Sequence, residues 1–133
     1  LSVSVVVDAS VWIPYLRAPG SPLGIQVKAL LEEDRAVMTA VTLAELLQGS
    51  RSAEEFEFLR GIFQDVPLLR EMEGDWTEAA RLTSTLRRRG VTLPLIDSCI
   101  ASVCLRMGAL LLTLDGDFDR VPGLRRLKPG ALS

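Results

Sequence analysis

A run of β-branched residues that ends in an acidic residue constrains this chain more than any other feature. Residues 3–7 read Val-Ser-Val-Val-Val, which is apolar apart from Ser4. Such a run is typical of a strand buried on both faces in the middle of a parallel sheet. Asp8 follows at once, and a carboxylate there needs a partner or a metal ion. Because ligands bind beyond the carboxyl ends of strands in open α/β sheets, we expect Asp8 to belong to a functional site.

The rest of the chain alternates between strand and helix patterns, which predicts an α/β fold with a mainly parallel sheet. We treat residues 1–133 as a single domain, because this length suits one hydrophobic core. The predicted strands cover 3–7, 36–40, 66–69, 110–114 and 125–127, the third near an edge because of Pro67. The predicted helices cover 8–16, 22–33, 43–48, 53–63, 73–89 and 97–107, with an acidic loop at 115–119. The predicted N-caps are Asp8 or Ser10, Ser21, Thr42 and Ser52.

The absence of histidine limits the chemistry that this chain can perform. It excludes Ser-His-Asp and Cys-His catalysis, histidine-pair ribonuclease chemistry and the usual zinc sites. An enzyme of this composition that works near neutral pH has to use carboxylates, and we expect a hard metal ion to act with them. The net charge of -2 is not that of an obvious nucleic-acid binder. Thirteen of the fifteen basic residues are arginine, however, and arginine suits phosphate recognition.

Several features indicate a reducing, cytoplasmic location. Cys99 and Cys104 are five residues apart in one predicted helix, so they point in different directions and we expect reduced thiols. No apolar run approaches the roughly 20 residues needed to span a bilayer, so we expect no membrane association. The N-terminus lacks the basic start and the cleavage site of a signal peptide.

Four acidic residues lie in apolar or strand-terminal surroundings: Asp8, Glu45, Asp97 and Asp115. Taken singly, three of them have an ordinary explanation. Asp97 suits an N-cap, the segment from Asp115 onward suits a solvated turn, and Glu45 suits a surface position. Asp8 is the hardest to explain without a site.

Taken together, these carboxylates indicate a metal site. The carboxyl ends of parallel strands meet at one edge of the sheet, so Asp8, Asp97 and Asp115 can converge there, with Glu45 on the helix after the second strand. Clustered carboxylates repel one another unless a cation is present. Mg²⁺ or Mn²⁺ accepts such oxygen ligands and keeps waters for substrate phosphates. The pattern suits metal-assisted hydrolysis of a phosphodiester bond.

Four sequence blocks resemble those of PIN-domain proteins, and more narrowly those of VapC toxins from bacterial toxin–antitoxin pairs. The blocks are Asp8-Ala-Ser-Val-Trp-Ile, Leu43-Ala-Glu-Leu-Leu-Gln-Gly, Leu93-Pro-Leu-Ile-Asp-Ser-Cys-Ile-Ala and Leu112-Thr-Leu-Asp-Gly-Asp-Phe. They cover nearly the whole chain in the family's order. The only departure of note within the first block is Ala9, which stands where threonine is frequent.

The resemblance implies a three-layer α/β/α fold around four to five strands and a metal-dependent endoribonuclease. It implies catalytic roles for Asp8, Glu45, Asp97 and Asp115. It implies Mg²⁺ or Mn²⁺ held by Asp8, Asp97, Asp115 and Asp117, with Ser10 and Thr113 in support. Which of Asp115, Asp117 and Asp119 is the fourth ligand stays open, and Asp115 is favoured because it directly follows the strand. The implied partners are an RNA substrate, a cognate antitoxin that blocks the site, and a second copy in a homodimer.

Arginines at the rim of such a pocket would hold RNA. The candidates are Arg17, Arg51, Arg87, Arg88, Arg89 and Arg120. The three consecutive arginines have an alternative role, since cations at a helix C-terminus complement its dipole. Trp12 suits stacking on a base, although packing in the core is favoured. The apolar helix with Phe56, Phe58 and Phe63 suits either the core or an antitoxin surface.

Other functions remain open on the residues alone. A PIN-type nuclease in RNA processing would carry the same acidic residues without being a toxin. A phospho-acceptor receiver module also has an Asp after its first strand, but it needs an acceptor Asp after the third strand and a Lys after the fifth. A haloacid-dehalogenase-type phosphatase needs a second Asp two residues after Asp8, where Ser10 stands. A PIN-fold binding protein without catalysis is disfavoured by the complete acidic set.

Overall fold

A computed structural model describes residues 3–131 of the chain. The elements in chain order are β1 (Val5–Val7), α1 (Ala9–Arg17), α2 (Pro22–Glu32), β2 (Ala36–Thr39), α3 (Ala40–Gln48), α4 (Ala53–Phe63), β3 (Leu68–Leu69), α5 (Glu73–Arg88), α6 (Leu95–Met107) and β4 (Leu110–Leu112), followed by a 3-10 helix over Gly116–Arg120. The four strands lie in the order β3-β2-β1-β4, and all their pairings are parallel. The predicted α/β class and the edge position of the third strand are confirmed.

β1 is the centre of the molecule. Its three valines are completely buried, and they alternate between the two faces of the sheet. Val5 and Val7 pack with side chains from α1 to α4 on one face, whereas Val6 packs with side chains from α5 and α6 on the other. Two helical layers therefore cover the sheet, and the three-layer α/β/α prediction is confirmed.

The predicted helix caps are partly right. Ser21 and Ser52 accept hydrogen bonds from the amides of Gly24 and Glu55 at 3.1 and 3.0 Å, as predicted. Thr42 was predicted to cap α3, and this is wrong. Thr39, the last residue of β2, takes that role and accepts a hydrogen bond from the Thr42 amide at 3.1 Å. The strand passes directly into the helix, so the cap lies three residues earlier than the apolar pattern indicated.

The position of Asp97 also differs from the prediction. α6 begins at Leu95, and the Ser98 amide donates to the Pro94 carbonyl oxygen at 2.9 Å. Asp97 therefore lies inside the first turn and is not the N-cap. Asp8 does occupy the N-cap position of α1, but its carboxylate makes no capping hydrogen bond. Neither acidic side chain is explained by helix capping.

The C-terminal part of the prediction needs two corrections. The acidic stretch is a 3-10 helix at residues 116–120 and not a loop. Residues 125–127 were predicted as a short strand, but they form a single parallel bridge between Arg126 and Leu111 of β4. A bridge results because only one residue of the segment has both neighbours bonded to β4.

Trp12 lies in the core and is 1% exposed. Its ring makes edge contacts with Tyr15 and Phe63, at centroid distances of 5.9 and 5.2 Å. Stacking of Trp12 on a base is excluded by this burial, and the favoured core interpretation is confirmed. Both cysteines of α6 are buried free thiols, as expected. No helix within residues 3–131 combines the length and the apolar character required to cross a membrane.

Candidate active site

The candidate site lies at the carboxyl edge of the sheet, and the parallel topology explains why. β1 and β4 are neighbours with the same direction, so Asp8 and the residues after Leu112 leave the sheet side by side. The Asp8 amide donates to the Leu112 carbonyl oxygen at 3.0 Å, which fixes the two ends together. Glu45 lies on α3, which begins at the same edge directly after β2. Asp97 enters from the first turn of α6.

Two hydroxyl groups hold the side chain of Asp8, which is 7% exposed. The Ser10 and Thr113 hydroxyls donate to Asp8 Oδ2 at 2.7 and 2.9 Å. Each hydroxyl has only one proton, and it donates that proton to the carboxylate. The contact of 3.2 Å between the two hydroxyl oxygens is therefore not a hydrogen bond. In the described part of the chain, no side chain or amide donates to Asp8 Oδ1, so this oxygen is available to a ligand.

The two hydroxyl groups are themselves held by the backbone after β4. The Leu114 amide donates to Ser10 Oγ at 3.0 Å, and the Asp115 amide donates to Thr113 Oγ1 at 3.0 Å. Both hydroxyls therefore accept from an amide and donate to Asp8. This arrangement fixes the rotamers of Ser10 and Thr113 and joins the start of α1 to the end of β4.

Like charges around Asp97 make the site strongly acidic. Burial raises the pKa of Asp97 from 3.8 to about 6, with further contributions from the charges of Asp8, Asp115, Glu45 and Asp117. The pKa of Glu45 is also raised, first by burial and then by the charge of Asp8. The structure thus brings the four predicted catalytic carboxylates and Asp117 close enough to repel one another.

The three aspartates of the 3-10 helix have different surroundings. Asp115 is the N-cap, and its Oδ1 accepts a hydrogen bond from the Asp117 amide at 2.9 Å. Asp117 is half-buried, whereas Asp119 is exposed and forms an ion pair with Arg126 at 2.7 Å. Asp115 and Asp117 contribute to the raised pKa of Asp97, and both lie on the side of the acidic cluster.

The acidic cluster has the right chemistry to bind a cation, although its side chains are not drawn together around a single point. Its donors are carboxylate oxygens, which Mg²⁺ and Mn²⁺ prefer, and the repulsion between them favours a positive charge. Within residues 3–131, no group of three or more acidic or cysteine side chains converges tightly enough to hold an ion unaided. Water and substrate oxygens would therefore complete the coordination, as is usual for Mg²⁺.

The candidate RNA-binding arginines are all exposed, but they lie on different elements of the fold. Arg120 ends the 3-10 helix that contains Asp117, and Arg51 follows the helix of Glu45. Arg87 and Arg88 end α5, whose Thr83 hydroxyl lies 2.8 Å from that of Ser98 beside Asp97.

Arg17 and Arg89 are less favourably placed, and the Arg88 side chain is already hydrogen-bonded within α5. Arg17 is separated from Asp8 by the whole of α1, about 13 Å along the helix axis. The Arg88 guanidinium donates to Ser84 and Thr85 of its own helix at 2.8 and 3.4 Å. Arg89 is the C-cap of α5 and is exposed.

Glu71 supports the site and was missed by the sequence patterns. Its Oε1 accepts a hydrogen bond from the Val41 amide at 2.9 Å, so it satisfies a free donor in the first turn of α3. It therefore anchors the helix that contains Glu45. The pairing joins residues thirty positions apart, and nothing local in the sequence indicates it.

Comparisons with known proteins agree with this geometry. The family model described as the PIN domain matches residues 5–124. The chain is 30% identical over 128 residues to a VapC ribonuclease of Mycobacterium bovis and to ribonuclease VapC11 of Mycobacterium tuberculosis. These alignments cover 93% of this chain and 96% of each relative.

Solved structures share the fold. A VapBC-1 structure from nontypeable Haemophilus influenzae matches with a TM-score of 0.78 and 25% identity, over 92% of this chain and 96% of that one. A structure of VapBC2 from Rickettsia felis, bound to a DNA fragment from its promoter, matches with a TM-score of 0.79 and 18% identity over the same shares.

Proposed function

The chain belongs to the PIN-domain family, with VapC ribonucleases as its curated relatives, and on that premise we propose that it is an endoribonuclease. It hydrolyses RNA phosphodiester bonds at the cluster of Asp8, Glu45, Asp97 and Asp115. The observation that carries the proposal is the state of Asp8. Two hydroxyls fix one of its oxygens, and within residues 3–131 nothing donates a hydrogen bond to the other. Nearby, burial and then the neighbouring carboxylates raise the pKa of Asp97 to about 6.

We assign the divalent ion to Asp8, Asp97 and Asp115, with Asp117 as a further ligand. When bound, Mg²⁺ or Mn²⁺ lowers the pKa of a water molecule and offsets the charge that develops on the phosphate. The hydroxyls of Ser10 and Thr113 hold Asp8 Oδ2, so the orientation of Oδ1 is set before any ligand arrives. Such preorganisation avoids reorienting the carboxylate during the reaction.

Glu45 lies outside the proposed ligand set and suits proton transfer. Its raised pKa makes the carboxylate a better proton acceptor near neutral pH than an ordinary Glu. In the proposed reaction, Glu45 takes the proton of the attacking water. Glu71 and Thr39 hold the start of its helix and so fix its position.

The exposed arginines around the cluster complete the RNA site in this proposal. Arg51, Arg87, Arg88 and Arg120 hold the phosphates on either side of the bond that is cut, because arginine pairs with phosphate through two parallel hydrogen bonds. Arg17 contributes only to a longer substrate, since α1 separates it from Asp8. An acidic protein can thus bind RNA through a local basic rim.

We further propose that the protein is a single-domain toxin of the cytoplasm, that it forms a homodimer, and that a cognate antitoxin blocks its site. The support is that its structural neighbours are VapBC toxin–antitoxin complexes. Apolar side chains exposed on α1 and α4, among them Ile13, Phe58 and Ile62, suit a partner helix. A PIN-type RNA-processing enzyme is the alternative. A receiver module is disfavoured, because the edge strand Leu68–Leu69 is followed by Arg70 and not by an acceptor Asp.

RNA cleavage with a matched variant tests the catalytic proposal. The purified protein should cut RNA in Mg²⁺ or Mn²⁺ and stop when EDTA is added. Asp8→Asn should reduce the rate at least 100-fold, since removal of one essential charged group typically has an effect of this size. Asp65→Asn removes the same charge from an exposed turn and should leave the rate unchanged. Cleavage by Asp8→Asn at the wild-type rate would refute the assignment.

The toxin role is tested in cells. Induced expression should arrest growth, and expression of the partner encoded beside it should restore growth. Arrest should disappear in the Asp8→Asn variant. Cleavage in vitro without growth arrest would favour the RNA-processing alternative.

A further inference from the structure

Three successive side chains of the 3-10 helix point in different directions. Asp117 lies among the carboxylates around Asp97, and Asp119 contacts Arg126. Phe118 is buried in the core between the sheet and the helices α5 and α6. A 3-10 helix of five residues has few internal hydrogen bonds and is weak by itself. Its orientation therefore depends on what its side chains contact.

Arg126 is well suited to provide such a contact, because its backbone is fixed on both sides. The Leu111 amide donates to the Arg125 carbonyl oxygen at 3.0 Å, and the Leu127 amide donates to the Leu111 carbonyl oxygen at 2.9 Å. These bonds hold Arg126 against β4, the strand that leads into the acidic cluster.

The segment after Arg126 is also held in place by hydrogen bonds. The buried Gln26 of α2 donates to the Lys128 carbonyl oxygen at 2.9 Å and accepts from the Gly130 amide at 2.7 Å. Both polar groups of this amide side chain are thus used on the C-terminal segment. The guanidinium of Arg126 therefore projects from a segment bound to both β4 and α2.

The contact between Arg126 and Asp119 lies at the surface on the Asp119 side, whereas Arg126 Nη1 is buried. The side chains are 27% and 65% exposed, and Nη1 lies 2.7 Å from Asp119 Oδ1. In the described part of the chain, Nη1 lacks an aligned hydrogen-bond partner, so the contact is an ion pair without hydrogen-bond geometry. Exposed ion pairs of this kind add little to the free energy of unfolding. A role in orientation is a better explanation for its place beside the site.

We propose that Asp119 and Arg126 form a positioning pair that keeps Asp115 and Asp117 turned toward the acidic cluster. Asp119 is then not a metal ligand, and the ligands from this segment are Asp115 and Asp117. The inference rests on the proposed metal-dependent function. Because the ion pair is weak, its loss should lower metal affinity only about two- to fivefold.

The affinity of the full chain for Mn²⁺, measured by calorimetry without RNA, separates positioning from simple charge. Asp119→Asn removes a negative charge and Arg126→Gln removes a positive one. If the pair acts through charge alone, the first variant binds Mn²⁺ more weakly and the second more tightly. If it positions the helix, both bind more weakly, and the double variant is no worse than the weaker single variant.

Arg125→Gln is the matched control. It removes the same charge from the neighbouring residue, whose guanidinium donates to the Gly108 carbonyl oxygen at 3.3 Å and not to Asp119. Its Mn²⁺ affinity should stay within about twofold of the wild type. Opposite shifts for the two members of the pair, or equal shifts for Arg125→Gln and Arg126→Gln, would overturn the proposal.

Amide hydrogen exchange without metal gives an independent measurement. Both single variants should speed exchange of the amides at residues 116–120, while exchange in α6 stays unchanged and reports an intact fold. Unchanged exchange at 116–120 would overturn the positioning role. Failure of the wild type to bind Mn²⁺ would instead overturn the proposed metal site, and the exchange data would still decide whether the pair orients the helix.

Discussion

Asp97→Asn should make the metal-free protein more stable at neutral pH, although it destroys the proposed site. The pKa of Asp97 rises from 3.8 to about 6, and each unit corresponds to about 1.36 kcal/mol, which sets an upper limit of about 3 kcal/mol. Asp97 is only partly buried, so solvent screening reduces this to about 1.5 kcal/mol. Loss of a negative charge in the first turn of α6 removes roughly 0.5 kcal/mol. The net expectation is a gain of about 1 kcal/mol at pH 7.5 in EDTA.

The pH dependence gives the sign of the effect. The folded protein binds the Asp97 proton more tightly than the unfolded chain does, so between about pH 4 and pH 6 the folded state holds more protons. The contribution of Asp97 to the stability of the wild type therefore falls as the pH rises through this window, and the penalty is complete above it. The difference between Asp97→Asn and the wild type should be small near pH 4 and largest above pH 6.

Urea unfolding in EDTA at several pH values measures this difference. Asp65→Asn is the control, since that exposed side chain should change the free energy of unfolding by less than about 0.5 kcal/mol. Addition of Mn²⁺ should stabilise the wild type and have much less effect on Asp97→Asn. A variant less stable than the wild type at pH 7.5 in EDTA, or a difference independent of pH, would refute the electrostatic reasoning.

Other expected effects follow from single contacts. Thr113→Val should lower the cleavage rate about 10- to 100-fold, because residues that orient metal ligands have effects of this size, while Thr113→Ser keeps the hydroxyl and most of the activity in single-turnover assays. Asp75→Asn should lower the free energy of unfolding by about 2 kcal/mol, since it removes the buried carboxylate that accepts two hydrogen bonds from Arg106. Because the pKa of Asp75 is lowered, this contribution is present at neutral pH and is lost as the pH falls below 3.8. Gly24→Ala should destabilise by about 1–3 kcal/mol in thermal or urea unfolding, because an added Cβ would collide with the Pro19 carbonyl oxygen. In contrast, a Cβ added by Gly61→Ala on α4 meets nothing within 4 Å and should stabilise by up to about 1 kcal/mol.

Local patterns predicted the parts of the fold that depend on neighbouring residues. The valine run predicted a central buried strand, and the serine caps at Ser21 and Ser52 predicted two helix starts. Thr39 and Thr42 show the limit of such patterns. Both are threonines at a helix start, and only the path of the chain out of β2 decides which one caps α3.

The site could be predicted as a cluster but not as a set of contacts. Parallel topology placed Asp8, Asp97 and Asp115 at one edge of the sheet from sequence alone. The bond from Thr113 to Asp8 joins residues 105 positions apart, and the ion pair between Asp119 and Arg126 depends on how the last segment lies on β4. Contacts of this kind come from packing and leave no periodic signal.

The central position of β1 also decides when the protein can become active during its synthesis. β1 is made first, but one of its two partners in the sheet is β4, which is made more than a hundred residues later. Asp8 cannot receive its hydrogen bond from Thr113 until the 105 residues that follow Asp8 up to Thr113 have been made. Folding thus waits for a contact between distant residues, which is a slow step. A nascent or truncated chain without β4 lacks the completed site, so the nuclease proposed here would be inactive until β4 has been made and has paired with β1.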